Sequence, residues 1–251
     1  MKYWIWLSSV PYIGPVTANR LLKEFGNPEM VYGADEKDFC NVKGITKRQV
    51  SSILENKSLE SAYRIMEDCD KYNISILAQN DLCYPDRAKE PEDSPIVLYY
   101  KGRIRNMENT VGIVGARRCT KEAKIQVAKI TEKYVSTNTA IISGMAKGID
   151  SYAHTTCLKT GGYTVAILGN GLDICYPSEH VKLMERIAEN GLLISEYPLG
   201  TRPNQYRFPR RNRLISAWSD KLIVVAPGKG SGALITAEYE KKYGREVEVV
   251  Y

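Results

Sequence analysis

The sequence lacks any long apolar run. The longest one near its start, residues 3–7, is far shorter than the about 20 apolar residues of a membrane-spanning helix. It is also shorter than the apolar core of a secretory signal peptide. We therefore expect a cytoplasmic protein that does not associate with a membrane.

Clustered metal ligands are also missing. The six cysteines are spread along the chain without a Cys-x-x-Cys pair, and there are only two histidines, His154 and His180. Structural zinc sites and disulfide frameworks both need closely and regularly spaced ligands or partners. We therefore expect reduced thiols and no bound metal.

Two common nucleotide-binding motifs are absent. No G-x-x-x-x-G-K-[ST] segment occurs, so the sequence does not predict a P-loop ATPase. Neither Gly112–Gly115 nor Gly228–Gly232 fits the G-x-G-x-x-G pattern of dinucleotide-binding folds. The sequence therefore predicts no nucleotide cofactor.

The residue types of a hydrolase triad occur close together but in the wrong setting. Asp150 and His154 are spaced i, i+4, and Ser143 precedes them. No G-x-S-x-G elbow surrounds Ser143, and Asp150 occupies a position that suits the first turn of a helix. We expect no catalytic residue in this stretch.

What is present is the composition of an ordinary globular protein: 251 residues, 43% hydrophobic and 25% charged, with a net charge of +6. This mild positive charge permits polyanion binding without requiring it. The length allows one large domain or two unequal ones. The sequence pattern changes near residue 66, from helical segments with little strand signal to strands alternating with helices. This change favours two domains, a helical domain over 1–66 and a second domain over 67–251.

The first of these regions contains two similar units. Each is a glycine turn followed by an amphipathic helix, over residues 12–25 and 42–54, and the pair resembles a helix-hairpin-helix (SAM-like) module. Such modules hold nucleic-acid phosphates with glycine amides and helix N-termini. Its basic and acidic residues are nearly balanced, so a packing domain without DNA contact is the alternative.

The second region alternates strands with helices. The predicted strands cover residues 74–78, 96–100, 111–114, 140–143, 164–168, 192–195, 222–226 and 247–251. Predicted helices cover residues 123–134 with Thr120 as cap, 178–190 with Ser178 as cap, 213–218 and 233–243, and another begins at 149. At least five parallel strands are implied, which predicts an α/β, doubly wound, Rossmann-like sheet.

Glycine-rich basic turns follow three of these strands. Ligands of parallel sheets bind beyond the carboxyl ends of the strands, so these turns should meet at one edge. Glycine lets a ligand approach the backbone closely, helix N-termini present amides, and the cations add charge. We therefore predict a phosphate site that includes Gly115, Arg117, Arg118, Gly144, Lys147 and Lys229.

Residues 201–213, TRPNQYRFPRRNR, are the most basic segment of the chain. Its five arginines are interleaved with Tyr206 and Phe208, and no acidic residue lies between Tyr197 and Ser219. Arginines with aromatic residues are typical of single-strand binding surfaces. The alternative is that several of these arginines pair with carboxylates at a dimer or domain interface.

Six motifs in order give the chain a resemblance to the DNA-processing protein A family (DprA, also called Smf). They are Gly115–Arg117, Ser143–His154, Gly169–Pro177, Ser195–Pro198, Phe208–Arg213 and Ser231–Ala237. The resemblance runs from about residue 74 to the end. We expect no C-terminal winged helix, a module that only some members have.

The resemblance implies a protein that binds single-stranded DNA, forms a dimer and helps to load RecA recombinase during natural transformation. It implies no catalytic activity. By position, the phosphate pocket would include Arg117, Lys147, Arg211 and Arg213. The full predicted DNA-binding set is Gly115, Arg117, Arg118, Ser143, Gly144, Lys147, Gly148, Arg211, Asn212, Arg213 and Lys229.

An enzyme is the alternative. Phosphoribohydrolases of the LOG type have a similar fold and a P-G-G-x-G-T-x-x-E turn, which residues 227–232 partly mimic, with Glu238 as a nearby acid. In that case a nucleotide would bind at the same edge and a carboxylate would assist the loss of the base. The basic F-P-x-R-N-R segment favours DNA instead.

Overall fold

The computed structural model describes residues 1–228 and 231–251. The chain begins with a group of helices and continues into a sheet with further helices. The first helices are α1 (Lys2–Ser9), α2 (Pro15–Phe25), α3 (Pro28–Gly33), α4 (Lys47–Glu55) and α5 (Glu60–Lys71). The predicted domain boundary at residue 66 falls inside α5.

The two glycine hairpins of this region are joined directly. Helix α4 starts with a capping box, in which the Gln49 amide donates to Thr46 Oγ1 and the Thr46 amide donates to Gln49 Oε1. The Gln49 Nε2 group also donates to Tyr12 O and to Thr17 Oγ1, both at 3.1 Å. One glutamine thus connects the second hairpin to the first.

The remaining chain forms an eight-stranded sheet in the order β1-β2-β6-β5-β4-β3-β7-β8. The strands are β1 (Ser75–Ala78), β2 (Val97–Gly102), β3 (Thr110–Gly115), β4 (Ala140–Ser143), β5 (Thr164–Leu168), β6 (Leu192–Ser195), β7 (Lys221–Val225) and β8 (Glu246–Val250). Every neighbouring pair from β6 to β8 is parallel, whereas β1 and β2 are antiparallel additions. The predicted mostly parallel sheet is confirmed.

Helices cover both faces of this sheet. They are α6 (Asp86–Lys89), α7 (Lys121–Ser136), α8 (Ile149–Lys159), α9 (Val181–Asn190), α10 (Arg207–Ala217) and α11 (Gly232–Lys242). Successive residues of β5 face opposite sides of the sheet. Ala166 packs in a hydrophobic core with the N-terminal helices and α9, and Ile167 packs in a second core with α10 and α11. This alternation produces a doubly wound arrangement with a core on each side of the sheet.

Two helix predictions were wrong at their starts. Helix α10 begins at Arg207 instead of 213, so most of the basic segment is helical. Ser178 does not cap α9: it opens a short 3-10 turn, Ser178–His180, and α9 begins at Val181. By contrast, Thr120 caps α7 as predicted, since its side chain accepts the Ala123 amide.

The last strand lies at the sheet's edge and is tied to its neighbour by charge. Lys221 Nζ of β7 lies 2.7 Å from Glu246 Oε1 and 2.8 Å from Glu248 Oε2 of β8. Both acids are on one face of β8, because side chains two residues apart point the same way.

No helix in the described part of the chain combines the length and the apolar character that crossing a bilayer needs.

Candidate functional site

A cavity of about 590 Å³ opens at the carboxyl ends of the central parallel strands. Its walls come from the turn after β3, the start of α8, the segment that leads into α10, and the start of α11. This is the edge at which the sequence placed the glycine-rich turns. Among the predicted site residues that the structure describes, five line the cavity: Gly115, Arg117, Arg118, Arg211 and Asn212.

The turn after β3 packs tightly against the end of β7 and the start of α8. A Cβ added at Gly115 would lie 2.2 Å from Val225 O, so no larger residue fits. The Ala116 amide donates to Val225 O at 3.3 Å, and Ala116 O accepts the Ile149 amide at 3.2 Å. This fixed backbone presents two exposed side chains, Arg117 and Arg118, at the cavity mouth.

The turn after β4 is shaped by unusual backbone conformations. Met145 and Gly148 both have positive φ values, 57° and 77°, which L side chains rarely adopt. A Cβ at Gly148 would lie 2.3 Å from Ala116 O. The two predicted turns therefore touch each other, and glycine at 148 permits that contact.

Asp150 closes the second turn. Its Oδ2 accepts the amides of Gly144 at 3.2 Å and Ala146 at 3.3 Å. Burial raises the pKa of Asp150, while the Arg211 charge and these two amides act in the opposite direction. The carboxylate thus helps to hold the turn.

Arg211 forms the floor between the strand ends. Its Nη1 donates to Gly144 O at 2.6 Å and to Ile167 O, and its Nε donates to Asn212 Oδ1 at 3.1 Å. A Cβ at Gly144 would lie 2.5 Å from this guanidinium. Burial lowers the pKa of Arg211 to about 10, and Asp150 partly opposes that effect. Arg211 therefore remains a cation at neutral pH.

The side chains of Asn212 and Arg213 make hydrogen bonds and ion pairs within the fold. Asn212 Nδ2 donates to Gly232 O at 3.0 Å and so joins α10 to α11. Arg213 is buried and bonded to Glu196 Oε2, with Asp93 Oδ2 at 3.5 Å. Arg213 does not line the cavity. This is the pairing with carboxylates that the sequence left open, found within a single chain.

Other predicted residues lie beside the cavity. Ser143 is buried, and its Oγ donates to Ile113 O at 2.5 Å. Lys147 is exposed at the surface, with its Nζ 2.6 Å from Glu179 Oε1. Gly144 and Gly148 shape the turn from behind the lining residues. Lys229 lies outside the described residues.

A stacked aromatic pair also lines the cavity. The rings of Tyr176 and Phe208 stack with centroids 5.2 Å apart and an interplanar angle of 20°. Tyr176 is 45% exposed, and the Arg117 guanidinium carbon is 6.0 Å from the Phe208 ring centroid. The sequence indicated Phe208 but missed Tyr176, although Tyr176 belongs to a segment that follows β5 at the same edge.

The triad arrangement considered from the sequence does not form. His154 is buried, its Nδ1 lies 2.7 Å from Thr164 Oγ1, and burial lowers its pKa to about 3. Ser143 and Asp150 each bond to backbone groups instead of to His154. Within residues 1–228 and 231–251, no group of three or more potential ligands is arranged to hold a metal.

Comparison with known proteins agrees with this architecture. Residues 75–251 match the family model described as DNA recombination-mediator protein A, and residues 7–56 match a SAM-like helix-hairpin-helix tandem. The predicted helix-hairpin-helix module is therefore confirmed.

Two curated relatives show the extent of the similarity. The chain is 36% identical over 250 residues to Protein Smf of Synechocystis, which covers 98% of this chain and 63% of that protein. It is 39% identical over 168 residues to DNA processing protein DprA of Streptococcus pneumoniae, which covers 66% of this chain and 59% of the relative. The chain therefore matches less than two thirds of the length of either relative.

Solved structures extend the similarity to three dimensions. DNA processing protein A from Streptococcus pneumoniae matches 99% of this chain and 86% of its own, with a TM-score of 0.84 and 30% identity. DNA processing protein A from Helicobacter pylori, whose single-stranded DNA binding mode has been described, matches 70% of this chain and 80% of its own. Its TM-score is 0.65 and its identity is 30%.

Proposed function

Because the chain belongs to the DNA recombination-mediator protein A family, we propose that it binds single-stranded DNA in the cavity at the carboxyl edge of its sheet. One observation carries the proposal: two exposed arginines, Arg117 and Arg118, face the same cavity as the stacked rings of Tyr176 and Phe208. Cations for the backbone and rings for the bases are the two elements of sequence-tolerant single-strand binding. The Helicobacter pylori relative is described as binding single-stranded DNA, which supports the proposal.

The other residues of the predicted set would act in two ways. Gly115 and Gly148 let the two turns pack closely, and Gly144 leaves room for the Arg211 guanidinium beneath the proposed phosphate site. Arg211 would add positive charge from the floor, whereas Arg213 would keep α10 in place through Glu196. Lys147 would contact DNA only after leaving Glu179, to which it is paired at the surface.

We propose binding without catalysis. Asp150 is the one carboxylate among the described residues that line the cavity, and two backbone amides already bond to it. Glu238, the acid that the LOG-type alternative would use, is exposed on α11 and does not line the cavity. The described residues offer no observation that favours nucleotide hydrolysis.

The wider role is proposed from the family relationship. The family description names recombination mediation, which supports transfer of the bound DNA to RecA recombinase in the cytoplasm during natural transformation. We propose that the protein acts as a homodimer in this step. Sedimentation velocity tests the dimer, and RecA assembly on DNA coated with single-strand-binding protein tests the transfer.

The binding test uses fluorescence anisotropy of labelled oligo-dT at several salt concentrations. We expect Arg117→Ala/Arg118→Ala to weaken binding at least about tenfold, because each lost phosphate contact removes counterion release. For three to four neutralised phosphates, log K of the unaltered protein should fall with log salt with a slope of about −2 to −3. The control is Lys129→Ala/Lys133→Ala, which removes two exposed cations from α7 far along that helix.

Two results would contradict the proposal. Equal losses in both double variants would show that only net charge matters, and binding or cleavage of added AMP without DNA binding would indicate a nucleotide enzyme.

A further inference from the structure

The two helices that follow the cavity turns carry a second group of cations and an aromatic ring in their first turns. Lys121 and Lys124 are in the first turn of α7, and Tyr152 is in the first turn of α8. Lys124 Nζ is 5.2 Å from the centroid of the Tyr152 ring, which is 37% exposed. We call these three residues the lysine–tyrosine ledge.

The ledge is held in a fixed position relative to the cavity. Helix α7 begins shortly after Arg118, which lines the cavity, and Thr120 caps it. Helix α8 is attached to the same turn, since the Ile149 amide donates to Ala116 O at 3.2 Å. Both sides of the ledge therefore start from the turn that carries the exposed arginines.

The ledge keeps its positive charge. Among the described residues, none of the ion pairs within 4.0 Å involves Lys121 or Lys124. The nearest acid in sequence is Glu122, which accepts hydrogen bonds from its own amide and from Thr120, and these lower its pKa. The Tyr152 hydroxyl raises the pKa of Lys124. The ledge therefore presents two lysines outside these ion pairs, with the Tyr152 ring beside Lys124.

From this arrangement we propose that a single strand leaving the cavity past Arg118 continues over the ledge, with phosphates on Lys121 and Lys124 and a base against Tyr152. The inference rests on the proposed binding of DNA in the cavity. It adds a second contact region, so strands too short to leave the cavity would not use it. An alternation of cations and exposed rings along one path is the surface that single strands follow.

The length of the DNA separates the two regions. Anisotropy titrations would compare labelled dT4, which is short enough to occupy the cavity alone, with dT20, which extends beyond it. For dT20 we expect Lys121→Ala/Lys124→Ala to weaken binding about fivefold or more. Its salt slope should become shallower by about 1.4, which corresponds to two phosphate contacts on a single strand. For dT4 both quantities should stay close to those of the unaltered protein.

The contribution of the Tyr152 ring can be separated from that of the lysines by its lack of effect on the salt slope. Tyr152→Leu keeps an apolar side chain but removes the stacking surface, so we expect about fivefold weaker binding of dT20. The salt slope should not change, because no charge is lost. The charge-matched control on the same helix, Lys129→Ala/Lys133→Ala, should affect neither oligonucleotide by more than about twofold.

Each possible result decides the matter. Selective loss of dT20 binding by the ledge variants supports the inference. Unchanged binding of dT20, equal losses for dT4 and dT20, or equal losses in the control variant would overturn it while leaving the cavity site in place. Failure of the unaltered protein to bind either oligonucleotide would overturn the cavity proposal and the ledge with it.

Discussion

Two pairs of arginines meet near the same sheet edge and differ in what surrounds them. Arg117 and Arg118 extend from a short turn, are exposed, and line the cavity. Arg211 and Arg213 lie on α10, are buried, and bond to backbone carbonyls or to carboxylates of their own chain. Identical side chains therefore divide into an exposed pair at the cavity mouth and a buried pair bonded within the fold, of which Arg211 also reaches the cavity floor. Exposure and bonding separate the two roles, whereas residue type does not.

The largest expected effect is on stability, from the buried pair. Arg213→Ala leaves Glu196 buried without its partner, and removing one member of a buried ion pair costs about 3–5 kcal/mol. Arg210 provides the control, because it is half exposed and its Nε is 3.9 Å from the same glutamate. We expect Arg210→Ala to cost less than about 1 kcal/mol. Urea denaturation measures both variants, and equal losses would show that burial does not set the difference.

A smaller effect on stability should come from pH, through a buried carboxyl group next to α10. Glu240 of α11 is fully buried, accepts a hydrogen bond from Ser216 Oγ, and burial raises its pKa to about 7. The folded state therefore holds this proton more tightly than the unfolded chain does. The stability from this group is complete below about pH 4.5 and is lost as the pH rises through about 7.

Glu240→Gln isolates that contribution. The wild-type free energy of unfolding should fall between pH 5 and pH 8 by on the order of 2–3 kcal/mol more than that of the variant. Parallel denaturation curves at the two pH values measure this difference. If the variant and the wild type lost the same stability over this range, Glu240 would not be the titrating group.

The smallest expected effect concerns the exposed pair. Arg117→Ala/Arg118→Ala should change the free energy of unfolding by no more than about 0.5 kcal/mol, as is usual for exposed surface positions. The same variant should lose DNA affinity, as proposed above. Thermal and urea unfolding measure the first quantity and anisotropy the second. A large loss of stability would place this pair with the buried arginines.

The sequence predicted the sheet well because its signals are local. Apolar β-branched runs, glycine turns and the Thr120 cap each report on a few neighbouring residues, and the strand-helix alternation implied the parallel sheet. The start of α10 was missed for a physical reason. Its buried face includes Arg211, Asn212 and Arg213, so hydrophobic periodicity gives no helical signal over these residues.

For the candidate site, the sequence predicted the edge of the sheet but could not show which of its arginines are exposed and which are buried. The partners of Arg211 are the carbonyls of Gly144 and Ile167, and the partner of Arg213 is Glu196. These groups come from distant segments that only the folded chain brings together. The same holds for Tyr176, whose stacking on Phe208 depends on two separate segments that meet at the sheet edge.

The ion pairs between β7 and β8 also determine how the outer strand is aligned. Along β8, Glu246 and Glu248 alternate with Val247 and Val249, and Lys221 contacts both acids. A slip of one residue would turn the valines towards this lysine and move both carboxylates to the opposite face. A central strand is kept in register by the burial of its side chains. The register of this half-exposed outer strand also depends on the ion pairs that Lys221 makes with Glu246 and Glu248.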